Sequence, residues 1–197
     1  MELLKAVSDT FIRLKQIEYR IVLSAGREKP LEEVHIDFQD EDLFHILGLQ
    51  HLTDIELPKN KKTLLYDIKD GIITDEYLLN SEYFDNDKIG YNIRKRIEKS
   101  INLEDYMDSE DFTVSVYKLQ HNNRTNIQAD YLITCKQISL DEEYYIFIRQ
   151  RKESDSYSII SCFPKEGVSY WGGKRYLMLK EKRVDNNILI LFKHQNY

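Results

Sequence analysis

Two histidines, His45 and His51, flank Gly48 in the stretch DLFHILGLQH, in a chain of 197 residues that holds 5 histidines. An imidazole can both take and give a proton near neutral pH, so such a pair is candidate acid–base chemistry. If a short helix runs over 41–47 and Gly48 ends it, His45 sits on a turn whose apolar members, Leu43 and Phe44, face the core. It could then edge a cleft between helix and sheet. A core histidine satisfied by backbone groups fits the same pattern. His51 lies past the glycine, where helical phase does not place it relative to His45.

A second group of chemical side chains lies in YYIFIRQR, residues 144–151. Side chains alternate along a strand, which puts Arg149 and Arg151 on one face with Tyr145 and Phe147, and Ile146 and Ile148 on the other. Paired guanidiniums can grip a phosphate in two places and neighbouring aromatics can stack a base, although a solvent-facing strand end would look alike. The run Tyr170-Trp171-Gly172-Gly173-Lys174-Arg175 joins glycines, cations and aromatics in a loop, which suits a phosphate cradle, a stacked base or an ordinary connection. A histidine, arginines and a hydroxyl are what metal-independent RNA cleavage requires. There the ribose 2′-hydroxyl attacks its own phosphodiester, and the enzyme supplies a base, an acid and cations for the charged phosphorane.

Other chemistries lack their signatures. The chain has no G-x-G-x-x-G after a strand, no G-x-x-x-x-G-K-[ST] and no H-E-x-x-H, and its histidines and two cysteines show no zinc-ligand spacing. No cofactor and no metal are therefore expected. Cys135 and Cys162, on apolar strands, read as buried free thiols.

The elements that must carry these residues change character along the chain. Leu3, Val7, Phe11, Leu14 and Ile21 recur at helical spacing up to Gly26, which predicts one long N-terminal helix within residues 1–30. EVHIDF then alternates as a short strand, and Asp40 is a fair N-cap for the helix over 41–47. Thr74 is an N-cap candidate, and Ile89, Ile93, Ile97 and Ile101 form an apolar stripe, so residues 31–110 read as a short strand and a helical region. From 111 to 197 the texture is β, with runs at 112–119, 131–138, 144–151, 157–163, 176–182 and 188–193 joined by connections too short for parallel crossovers. The expectation is one α+β domain, N-terminal helices packed on a curved antiparallel sheet of about four to six strands.

Formal charge is −6, which argues against indiscriminate coating of nucleic acid. The charge is uneven. Residues 1–143 hold 18 Lys+Arg against 29 Asp+Glu, whereas residues 144–197 hold 10 against 5, enough for a local anion site. No long apolar run and no leader pattern occurs, so the expected location is cytoplasmic, with no membrane partner.

The strand VHIDF followed by Phe44-His45-Ile46-Leu47-Gly48-Leu49 resembles the phage-type branch of the barnase, EndoU, colicin and RelE-like nucleases, a PBECR-like domain. The resemblance continues through Ser81, Tyr83, Arg96, Ile97, Leu103, Glu104 and Tyr106, and resumes at Ser161, Phe163 and Tyr170. It implies a compact barnase/RelE-like fold and ribonuclease activity in phage, mobile-element or toxin settings. Carried over by resemblance, His45 is the acid–base residue and Ser161 bonds a phosphate oxygen or orients substrate. The residues themselves add Arg149 and Arg151 as catalytic cations, and His51, Tyr145, Tyr170, Lys174 and Arg175 as substrate contacts. The leading expectation is thus a metal-independent endoribonuclease acting on cellular RNA, tRNA or ribosome-bound mRNA, with an antitoxin or the ribosome as possible partners. The rivals are a noncatalytic RNA-binding or phage regulatory domain of the same fold, and a protein that binds a basic partner through the acidic stretch SINLEDYMDSED at 100–111.

Overall fold

The N-terminal apolar pattern serves two elements, not one. In the computed structural model, which describes residues 2–86, 92–121, 125–137, 142–165, 167 and 169–197, helix α1 spans Leu3–Leu14 and strand β1 spans Ile17–Ser24. Leu4, Val7, Phe11 and Leu14 follow the helical period and are buried. After Lys15 the period becomes two: Ile17, Tyr19, Ile21 and Leu23 are all buried on one face of a β-branched run. The predicted single helix to Gly26 is therefore wrong: Ile21, seven residues after Leu14, fits the helical period although it belongs to the buried face of the strand. Glu2 makes no side-chain cap for α1. The Asp75 carboxylate does so from a distance, accepting the Leu3 N–H at 2.6 Å and the Leu4 N–H at 3.0 Å.

The remaining elements are β2 (Leu31–Ile36), α2 (Asp42–Ile46), α3 (Leu64–Lys69), α4 (Asp75–Leu78), α5 (Ile93–Ser100), α6 (Leu103–Asp108), β3 (Asp111–Tyr117), β4 (Tyr131–Gln137), β5 (Glu142–Gln150), β6 (Ser156–Pro164), β7 (Gly172–Val184) and β8 (Asn187–Lys193). Thr74 caps α4 through a bond from the Tyr77 N–H, as its position predicts. Ile93 and Ile97 of α5 are buried, while Ile89 lies outside the described residues.

The strands follow the order β1-β2-β6-β5-β4-β3-β7-β8, and β7 also pairs with β1. That pairing joins 17–24 to 176–184 and closes seven strands into a barrel, with β8 added outside on β7. The expected curved sheet of about four to six strands with N-terminal helices packed on it is corrected accordingly. The all-antiparallel expectation is corrected too, since β2 and β6 run parallel over His35–Ser156 and Ile36–Tyr157. Register shifts at Val22/Leu23, Phe147/Ile148 and Lys180/Glu181 supply the local bends a closed ring needs. The helices are short; the longest described, α1, has 12 residues. Among the described residues no helix is long and apolar enough to cross a membrane.

The main core combines Ile133, Cys135, Ile146, Ile148, Ile159 and Cys162 of the strands with the apolar faces of the helices. Both cysteines are free and buried. Tyr117, Leu132, Tyr145 and Phe147 form a smaller cluster, with Phe163 and Tyr170 packed on it. Gly172 opens β7 where a Cβ would meet the Val116 carbonyl oxygen at 2.6 Å, so this glycine serves strand approach.

Candidate functional site

Helix α2 begins directly after the β2 connection, and a buried ion pair fixes where it starts. The Asp42 carboxylate accepts the Gln39 N–H at 2.8 Å and both terminal amino groups of Arg151, one of them at 3.1 Å. Arg151 reaches further to Asp37, with Nε on Oδ1 at 2.7 Å and Nη2 on the main-chain oxygen at 3.2 Å. The end of β5 is thereby pinned to the loop that launches α2.

The other end of α2 is fixed by Arg96 of α5. Its Nη2 donates to the His45 carbonyl at 2.6 Å and its Nε to the Ile46 carbonyl at 2.9 Å, so a cation satisfies the orphan acceptors at a helix C-terminus. Nη2 also bonds Ser161 Oγ on β6 at 3.2 Å. Arg96 is only 3% exposed. The guanidinium lies 5.8 Å from the Phe163 ring centre. Gly48 follows with a φ of +73°, and a Cβ there would come within 2.9 Å of the Arg96 side chain. Left-handed backbone and a close neighbour together demand glycine.

His45, His51, Arg149, Arg151 and Ser161 all line one cleft of about 1280 Å³, together with Lys61, Lys62 and Lys152. These five come from three segments far apart in the chain. Their states differ. His45 is half-buried, and Lys61 Nζ donates to its Nε2 at 2.9 Å. Burial, followed by the charges of Lys61, Arg96, Arg149 and His51, lowers its pKa to about 4, so the ring is neutral at pH 7. Burial and Arg96 likewise lower that of His51. Arg149 is exposed and makes no ion pair among the described residues, whereas Arg151 is committed to Asp37 and Asp42. Arg149, on β5, and Arg151, just past its end, therefore have separate tasks, a free cation and a tether.

The other expected contacts lie elsewhere. Tyr145 is 4% exposed and packs edge-on against Tyr170 at 5.2 Å in the aromatic cluster. Arg175 holds Glu32 at 3.0 Å, and Lys174 lies over the Tyr176 ring at 5.6 Å. None of these four is among the residues lining the cleft. Two side chains went unassigned. Lys61 sits in a polar run, PKNKKT, where nothing marks one lysine from its neighbours. Arg96 appeared only as a motif position, and the i, i+4 spacing of Ile93 and Ile97 was its one hint of burial.

A neutral imidazole, a free guanidinium, a hydroxyl and lysines around one opening can receive a phosphate and move a proton beside it. The profile of the family described as PBECR4, phage-Barnase-EndoU-ColicinE5/D-RelE like nuclease4, matches residues 3–197. No curated protein and no solved structure matches the chain. With a match over nearly its whole length, the protein belongs to PBECR4, a phage-associated family of the barnase, EndoU, colicin and RelE nuclease type.

Proposed function

We propose that the protein is an endoribonuclease that cleaves cellular RNA without a metal, by attack of the ribose 2′-hydroxyl on the adjacent phosphodiester. The observation that carries this reading is the shared cleft: His45, Arg149 and Ser161 line one opening with Lys61 and Lys152, in a chain whose net charge is −6. Cations gathered at one place on an acidic protein suit a polyanion bound locally. His45, neutral at pH 7, is the base for the 2′-hydroxyl. Arg149 carries the phosphate, and Ser161, aligned by Arg96, offers its hydroxyl to a phosphate oxygen.

The test is incubation of purified protein with total RNA in EDTA, with fragment ends analysed for 2′,3′-cyclic phosphate. His45→Ala is expected to lose about 10²- to 10⁴-fold in rate. A folded His45→Ala protein that cleaves as fast as the parent removes the chemical basis. Salt-sensitive RNA binding with no cleavage by the parent would favour a noncatalytic RNA-binding role for the same cleft.

A further inference from the structure

We propose that Lys61 masks the His45 base in the free protein and that the substrate phosphate draws it away, making Lys61 a catalytic residue that unmasks the base as it binds. The proposal rests on the ribonuclease reading above. An ammonium group has donors and no acceptor, so the 2.9 Å contact identifies Nε2 as the nitrogen bearing the lone pair. A neutral imidazole has one such nitrogen. In the free protein it is taken.

Lys61 is held in this position by neutral groups. It stands on a short turn, Lys61–Thr63, half-buried, with its ammonium 5.3 Å from the centre of the Phe44 ring. Among the described residues it makes no ion pair. Its charge therefore faces a neutral ring nitrogen and an aromatic face inside a cleft that His45 and Lys61 both line. A phosphodiester anion is a better acceptor than either, since it meets the ammonium with an opposite charge whereas the ring nitrogen and the aromatic face are neutral. When RNA enters, Lys61 moves onto a non-bridging oxygen and Nε2 is released. The 2′-hydroxyl proton then passes to Nε2, the 2′-O–P bond forms and the P–O5′ bond breaks. The 5′-oxygen takes a proton from water, and His45 returns its own to solvent. Through this sequence the Lys61 charge opposes the charge gathering on phosphorus. The exchange also prevents His45 from acting on hydroxyls that arrive without a phosphate.

The groups around His45 define what the test must separate. Lys61 faces it from the turn before α3, Arg96 from α5, Arg149 from β5 and His51 from the turn after α2. Glu41 and Asp42, at the start of its own helix, are paired with Lys62 and Arg151. Replacing Lys61 alone leaves the others in place.

The experiment is an NMR titration of the His45 ring in the full-length parent, Lys61→Met and Lys61→Arg, with and without inorganic phosphate. In the parent the midpoint is expected near 4. Lys61→Met should raise it by about one pH unit, and Lys61→Arg, which keeps the donor, should not. Phosphate should raise it in the parent and less in Lys61→Met. In RNA cleavage, Lys61→Met should lower kcat by about 10- to 100-fold and move the acid limb of the pH–rate profile upward. Should Lys61→Met fold poorly, Lys61→Gln takes its place. Identical His45 midpoints in parent and Lys61→Met, or a parent midpoint indifferent to phosphate, overturn the proposal. A parent that cleaves no RNA while its His45 midpoint still rises with phosphate would defeat the ribonuclease reading and leave the exchange intact.

Discussion

Around His45, burial and like charge act in the same direction, both disfavouring the imidazolium. Its pKa of about 4 in the folded chain lies below the ordinary 6.5, so between those values the unfolded chain binds a proton that the folded chain does not. Stability from this residue is fully present above pH 6.5 and is lost as pH falls towards 4. Discounted for solvent screening of a half-buried ring, the loss is about 1 to 2 kcal/mol. Urea midpoints of the parent and of His45→Gln, followed from pH 7 to pH 4, should therefore converge as pH drops, because the glutamine has no proton to take up. Parallel curves would mean that His45 titrates alike in both states. The arginines give a second contrast at this scale. Arg151→Ala strands Asp42, only 5% exposed, and should cost about 3 to 5 kcal/mol of stability. Arg149→Ala removes an exposed side chain and should change stability by less than about 0.5 kcal/mol while weakening RNA binding. Equal destabilisation by both would contradict the division of labour between tether and free cation.

At the scale of elements, α2 is too short to hold His45 by its own packing, and its position depends on what grips its two ends. Asp42 with Arg151 sets the start, and Arg96 with Gly48 sets the finish. The Arg96–Gly48 contact makes a measurable coupling. Gly48→Ala combines a left-handed residue with a Cβ 2.9 Å from Arg96, and should cost about 2 to 3 kcal/mol. In an Arg96→Ala background only the backbone share of about 1 kcal/mol should remain. Additive free energies of urea unfolding would deny that the two residues compete for one space. Much of this element was readable in advance. Gly48, the helix before it and His45 at its end follow from local rules, since a helix stop needs a residue that accepts positive φ. The six strands after 111 were readable for a similar reason, their alternation being short-range. Arg96 was not, because a buried arginine bonded to carbonyls leaves the same letters as one pointing to water. Lys61 was hidden for the opposite reason, as one of several lysines in a polar stretch.

The whole molecule adds what no local pattern holds. Closure of the barrel joins 17–24 to 176–184, a pairing set by the two ends of the chain, and without it the N-terminal run satisfies a helix as well as a strand. The parallel pairing of β2 with β6 and the packing of α2 on β6 bring His45, from near the start, to Arg149 and Ser161, from near the end, and Lys61, Arg149 and Lys152 stand around that cleft in a chain whose net charge is −6. This distribution makes a quantitative claim on RNA binding. Lys61, Arg149 and Lys152 are the cleft cations without a carboxylate among the described residues, and three phosphate contacts on a single strand give a log–log salt slope of about −2. Repulsion from the acidic surface reaches furthest at low salt, where the Debye length is long, and should flatten the slope further there. Binding of a single-stranded RNA by His45→Ala protein, which keeps every cation in place, measures this without cleavage. Arg149→Ala in that background should reduce the slope by about 0.7, one phosphate's share. A slope near zero would mean that no phosphate is gripped ionically. One steeper than about −5 would need more cations than the cleft holds and would move RNA binding to another face of the molecule.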